Sequence, residues 1–182
     1  NEDTLYRDYV AYMLRKIQNS MKVNFKEKQK FTQWWLWVIL IGIALIPVYG
    51  IYKQIIRNET FGDKPTSDLG LIIIAICFFG LIYFFRYLTL KTKIDSIGIK
   101  IYFKPFHKKS VTWNEVISAK IVKYGFVGYG IRFGSKYGTV YNVKGNKGLA
   151  IELQNGKKFL IGTQRENELN DIIDNIPISN NT

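Results

Sequence analysis

The chain has a single cysteine, Cys77, and a single histidine, His107, in 182 residues. One cysteine cannot close an intrachain disulfide, so no oxidised, disulfide-built fold is called for. One cysteine and one histidine also exclude a Cys/His zinc site within one chain. Acidic residues are few: 14 Asp and Glu stand against 26 Lys and Arg, for a net charge of +12. Charge of either sign is missing altogether from residues 31–52.

What fills that uncharged stretch is apolar. It runs Phe31-Thr-Gln-Trp-Trp-Leu-Trp-Val-Ile-Leu-Ile-Gly-Ile-Ala-Leu-Ile-Pro-Val-Tyr-Gly-Ile-Tyr52, and a membrane-spanning helix needs about 20 such residues. Trp34, Trp35 and Trp37 open it, and Tyr49 and Tyr52 close it, as aromatic belts do at two lipid–water interfaces. A second run covers residues 69–90, with Arg86 as its one charge, near enough to the end to snorkel. Apolar residues surround both segments without a polar stripe, which argues against helices of a soluble core. A cleaved signal peptide does not fit either: the first run is too long and too far from the start. Pro47 is expected to kink the first helix, and Gly42, Gly50, Ala75 and Gly80 to let the two helices approach.

Lysines stand before the first run (Lys16, Lys22, Lys26, Lys28, Lys30) and after the second (Lys91, Lys93, Lys100, Lys104), whereas the loop between them is nearly neutral. The positive-inside bias predicts both termini in the cytoplasm. The organisation read from the sequence is a basic N-terminal segment over 1–30, a transmembrane hairpin over 31–90 (helices 31–52 and 69–90), a domain over 91–177 and a tail over 178–182. Two readings stay open for residues 1–20. One is a non-native extension ahead of Met21. The other is a short amphipathic helix with Leu5, Tyr9, Met13 and Ile17 at intervals of four.

The C-terminal region changes period. Ile97, Ile99, Ile101 and Phe103 alternate along a strand over 97–106. Further strands are predicted over 110–113, 117–124, 131–133, 139–142, 149–153 and 157–161. Asn155-Gly156 signals a type I′ hairpin. Thr163-Gln-Arg-Glu166 reads as a capping box, and Leu169, Ile172, Ile173 and Ile176 follow at helical spacing until Pro177. Seven short strands and one closing helix suit a small barrel or sandwich with a helical cap, and the fold class is α+β.

Several motifs carry a resemblance: Lys28-Gln-Lys-Phe-Thr-Gln-Trp-Trp35, Lys104-Pro-Phe106, Trp113-Asn-Glu-Val116, Asn142-Val-Lys-Gly-Asn-Lys-Gly148 and Ile161-Gly-Thr-Gln164. Over residues 22–176 the chain resembles bacterial membrane proteins with a pleckstrin-homology-like (PH-like) domain behind a two-helix hairpin. The resemblance implies a PH-like fold at the cytoplasmic face of a bacterial inner membrane. It implies no catalytic residues.

Chemistry is sparse. His107 lies beside Lys108 and Lys109 in a strand-to-strand turn and reads as a solvated residue. Gly125-Phe-Val-Gly-Tyr-Gly130 has the wrong spacing for a dinucleotide loop, and no helix follows it. No catalytic residue, metal ligand or cofactor is predicted. The expected role is a non-enzymatic module that docks a protein partner or self-associates, with Tyr124, Phe126, Tyr129 and Tyr137 as candidate anchors; for these aromatics core packing is the plainer alternative. The competing role is binding of anionic lipid headgroups through Lys104, Lys108, Lys109, Lys123 and Arg132, each contributing about 1 kcal/mol. Nucleic acid is not an expected partner, since no RNA-stacking platform is spelled out.

Overall fold

The computed structural model describes residues 5–14, 24–125 and 128–176. By internal contacts the chain forms two units: residues 31–88, and the remaining described chain. Residues 5–14 are helical (α1) and expose Leu5, Tyr9 and Met13; Ile17, the fourth member of the expected stripe, lies outside the described residues.

The helical unit holds α2 (Trp34–Ile51), prolonged by a π-helical turn over Tyr52–Ile56, and α3 (Asp68–Tyr87). Both helices are long and apolar enough to cross a membrane. Their buried residues recur every three or four positions, Leu40, Ala44, Pro47 and Gly50 on α2 and Leu71 and Ala75 on α3. That spacing draws one seam along each helix and leaves the remaining apolar surface exposed. Gly50 belongs to the seam, where a Cβ would stand 2.8 Å from a ring carbon of Phe61. Gly42 and Gly80 were expected there too, but each faces open space; Gly42 is two residues out of step with Leu40 and Ala44. The Ser67 hydroxyl caps α3 by accepting from the Gly70 N–H at 3.2 Å. The helix ends at Tyr87 rather than at 90, because Leu90 is a fully buried strand residue.

Among the described residues the other unit has nine strands, where seven were expected. Sheet A is an antiparallel meander of β1 (Asn24–Lys30), β2 (Thr89–Asp95), β3 (Gly98–Lys104) and β4 (His107–Thr112). Sheet B contains β5 (Val116–Lys123), β6 (Gly130–Ser135), β7 (Gly138–Asn142), β8 (Lys147–Leu153) and β9 (Lys158–Gly162) in the order β5-β8-β9-β7-β6. The β8–β9 hairpin inserts between β5 and β7, so β7 runs parallel to β9. The fold is α+β with two sheets that stay open, so of the two forms expected, barrel or sandwich, no closed barrel is formed. The C-terminal helix α4 (Glu166–Asp174) packs against β5 through a face that buries Leu169 and Ile173.

The two strands that composition hid are β1 and β2, which flank the helical unit in sequence. They pair in continuous register from Asn24↔Asp95 to Lys30↔Thr89. Every second β1 residue turns inward: Phe25 is fully buried, and Glu27 and Gln29 are nearly so. The two Glu27 carboxylate oxygens accept from the Thr163 hydroxyl and the Gln164 N–H, both at 2.8 Å. Gln29 Nε2 donates to the Gly162 carbonyl at 2.6 Å. Arg165 Nη1 donates to the Lys26 carbonyl at 2.9 Å, and its guanidinium stands 5.3 Å from the centre of the Phe25 ring. Strand β1 thereby ties sheet A to the segment joining β9 to α4.

Those contacts replace the expected capping box. The Thr163 hydroxyl donates to Glu27 and accepts from the Arg165 N–H at 3.0 Å, while Glu166 pairs with Lys147. Arg165 takes the cap position with no side-chain cap bond. The Asn155-Gly156 hairpin forms, but only Gly156 has positive φ, at 73°. A type I′ turn needs both central residues there. Instead Asn155 Oδ1 accepts from the Lys157 N–H at 3.1 Å.

Because β1 completes sheet A, residues 89–176 alone should not fold to a stable monomer. A chain joining residues 24–30 directly to 89–176 through a short flexible linker should give a cooperative denaturant transition, as read by circular dichroism. Glu27→Ala in that background should cost roughly 2 to 3 kcal/mol, since two donors lose a charged acceptor.

Candidate functional site

Alternation fixes what each face of sheet A carries. The residues opposite the buried row are Lys26, Lys28 and Lys30 on β1, Lys91 and Lys93 on β2, Lys100 and Lys104 on β3, and Lys108 on β4. The register sets Lys28 against Lys91, Lys26 against Lys93, and Lys93 against Lys100. Like charges directly opposite in a sheet are destabilising. Asp95 is the only acid in this row of the four strands, and it takes Lys93 at 3.0 Å and Lys100 at 3.9 Å. Burial pushes the Asp95 carboxyl up, but the Lys93 bond and the Ile97 and Gly98 N–H groups outweigh it, so the pKa falls below the usual value. One carboxylate among eight lysines leaves the face strongly positive. Tyr102 sits within it, with the Lys108 ammonium 5.9 Å from the ring centre.

Five cations were expected to act together, and they occupy different places. Lys104 and Lys108 belong to the lysine face. Lys109, one residue on, points the other way; its ammonium lies 3.9 Å from the centre of the Phe159 ring on sheet B. Burial, and then the neighbouring charge of Lys157, pull the Lys109 pKa down. Lys123 ends β5, and Arg132 lies on β6 with its guanidinium against the backbone of Gly128. His107 stacks on Tyr141 at 5.5 Å, an aromatic contact that its neighbours in sequence do not signal.

The expected aromatic anchors also separate. Tyr124 is 3% exposed and forms a small core with Val140 and Leu160, against which Val122, Tyr137 and Ala150 pack. The Tyr124 and Tyr137 rings meet edge to face at 6.4 Å. Tyr137 also lines a shallow groove of about 300 Å³ on sheet B with Lys120, Lys136 and Lys158. Tyr129 is half-buried, and Phe126 lies outside the described residues. The large exposed aromatic of this region is Phe133 on edge strand β6, which the sequence pattern did not single out.

The matching family is phosphoethanolamine transferase EptA/EptB, over residues 13–93. No curated protein is significantly similar to the chain. The EptA/EptB match spans the helical unit, β1 and most of β2, and it stops short of β3 and all of sheet B. It overturns the resemblance to PH-like membrane proteins, because the family found is a different one. The EptA/EptB name is that of an enzyme family, but the match ends before most of the β-unit, so no transferase residue is carried over to β3 or beyond. Among the described residues, no three of His, Cys, Asp and Glu stand together as a metal-holding group.

Burial, and then the charge of Tyr129, push the Tyr124 hydroxyl up to about 12 from 10.0. A raised acid pKa means the folded state keeps a proton that the unfolded chain loses near pH 10. This contribution to stability is whole below pH 10 and disappears as the pH climbs toward 12. Tyr124→Phe should therefore flatten the loss of stability across that window, as read by thermal melts at stepped pH. Among the described residues the hydroxyl has no hydrogen-bond partner, so the variant should be no less stable at pH 7. Tyr124→Ala should cost roughly 3 to 5 kcal/mol.

Proposed function

We propose that the chain is a membrane-anchored module whose lysine face on sheet A binds the anionic phosphates of lipid headgroups. The observation that carries this reading is the face itself: eight lysines, three directly opposed pairs and one carboxylate. Repulsion between opposed lysines is relieved when anions lie between them. Two helices of spanning length supply the anchor. Lys30 is four residues from Trp34, and Lys91 is four from Tyr87, so an extended chain allows no more than ~15 Å between either lysine backbone and its helix end. The matched family is named for transfer of phosphoethanolamine, a phosphate-bearing headgroup, in keeping with phosphate chemistry at a bilayer. In this reading the module is not itself an enzyme, and the β-unit and both termini face the cytoplasm, where anionic lipids and lysine-rich flanks meet.

A second reading is docking of a protein partner or another copy along β6. It is favoured by Phe133, 79% exposed on a strand that is the edge of its sheet among the described residues.

The test uses full-length protein in nanodiscs, with a photoactivatable phosphatidylglycerol present as a minor lipid and phosphatidylcholine as the bulk. Crosslinks should map to sheet A and weaken as salt rises. At about 1 kcal/mol per lysine, replacing Lys26, Lys28 and Lys91 by Gln should lower anionic-lipid affinity roughly a hundredfold. Crosslinking that ignores both salt and these substitutions would remove the lipid reading, and crosslinks between copies through β6 would replace it with the second.

A further inference from the structure

Sheet A has two different ends. At one end the register runs Lys30↔Thr89↔Lys104. Here the chain passes to both helices: α2 begins four residues after Lys30, and α3 ends two residues before Thr89. The β3–β4 turn, Pro105-Phe106, closes this same end, because Phe103 pairs with His107 across it. Phe106 at the turn tip is 63% exposed, with Lys104 and Lys108 exposed on either side. At the other end Asn24 pairs with Asp95, and the β2–β3 turn exposes Ile97 at 65%. There the Asp95 carboxylate accepts from the Ile97 and Gly98 N–H groups at 3.1 and 3.2 Å. One tip thus sets an apolar ring between two exposed cations, and the other sets an apolar side chain beside a carboxylate already paired with Lys93 and Lys100.

We infer that the β3–β4 turn is a membrane-inserting tip, with the Phe106 ring entering the boundary between headgroups and acyl chains while Lys104 and Lys108 contact lipid phosphates. The inference rests on the membrane-anchored reading above and adds a specific point of entry. An aromatic flanked by lysines matches an interface that is apolar below and anionic above. Chain connectivity supplies the proximity: the strand beside β3 leads directly from α3. Ile97 has similar exposure, but it is flanked in sequence by Ser96 and Gly98 rather than by lysines, and its turn closes the sheet end opposite the one where the chain leads to the helices. Asp95 beside it engages Lys93 and Lys100, so the positive charge at that tip is partly neutralised.

The experiment places one nitroxide at a time on the full chain in a Cys77→Ser background, through Phe106→Cys or Ile97→Cys. Both substitutions fall on exposed turn positions, and circular dichroism checks that each variant folds. The protein is reconstituted in nanodiscs of phosphatidylcholine alone and in discs containing phosphatidylglycerol. Paramagnetic relaxation by oxygen, which enriches in acyl chains, is compared with relaxation by a water-soluble nickel complex. The label at 106 should be shielded from nickel and relaxed by oxygen in both lipids, while the label at 97 should behave as water-exposed. Equal nickel accessibility at 106 and 97 in both lipids would overturn the inference. Failure of the headgroup-binding reading looks different: 106 would remain shielded in either lipid, but the lysine substitutions would leave lipid preference unchanged.

Discussion

Seven residues ahead of the helical unit must find seven residues behind it. The β1–β2 ladder imposes that condition, and the rest of the β-unit depends on it. Closing a loop over residues 31–88 costs chain entropy, and that cost grows only slowly with length. Folding the intervening segment into a helical hairpin shortens the flexible length that must be closed. The ladder then needs cohesion of its own, because its outer row opposes lysine to lysine. Its inner row provides this. Phe25 buries completely, a gain of about 2 kcal/mol. Glu27 and Gln29 convert an otherwise costly burial into three hydrogen bonds with residues 162–164.

One register serves two purposes in sheet A. A slip by a single residue would turn Lys26, Lys28 and Lys30 inward and Phe25 outward, so the core enforces the register strongly. The same register gathers lysines from four strands onto the opposite face. No separate positioning device is required, since packing on one side determines the electrostatics of the other. Lys109 is the informative exception. It lies on the inward row and tolerates that position by resting its ammonium on the Phe159 ring, with a depressed pKa as the mark of its partial desolvation.

Much of the architecture was legible in the chain. The two apolar runs announced the helices through length, lack of charge and terminal aromatics. The alternation of Ile99, Ile101 and Phe103 announced β3, although Ile97, expected on the same face, lies in the exposed turn before it, and Asn155-Gly156 announced the β8–β9 hairpin. The site was legible only in part. Lys104 and Lys108 were singled out, but sequence proximity grouped them with Lys109, which strand alternation sends to the other side. Lys26, Lys28 and Lys30 read as topology signals ahead of a membrane helix, because a stretch of Lys, Glu and Gln has little strand character of its own. Glycine-adjacent aromatics could be read as anchors or, more plainly, as core, and Tyr124 at 3% exposure takes the plainer reading.

The sequence by itself determined the properties that follow from local composition: two helices able to span a bilayer, a strand-rich remainder, and a large excess of positive charge. Hydrophobic length and period are additive along the chain, so they survive any tertiary arrangement. Tertiary structure decided which strands pair, and with them where the charge collects. That information lies in contacts between residues some seventy positions apart, Asn24 with Asp95 being the longest reach of the ladder. Neither strand alone has a reason to form there. Each becomes a strand only because the other supplies its hydrogen bonds and because residues 162–164 bond the Glu27 carboxylate and the Gln29 amide nitrogen that β1 turns inward.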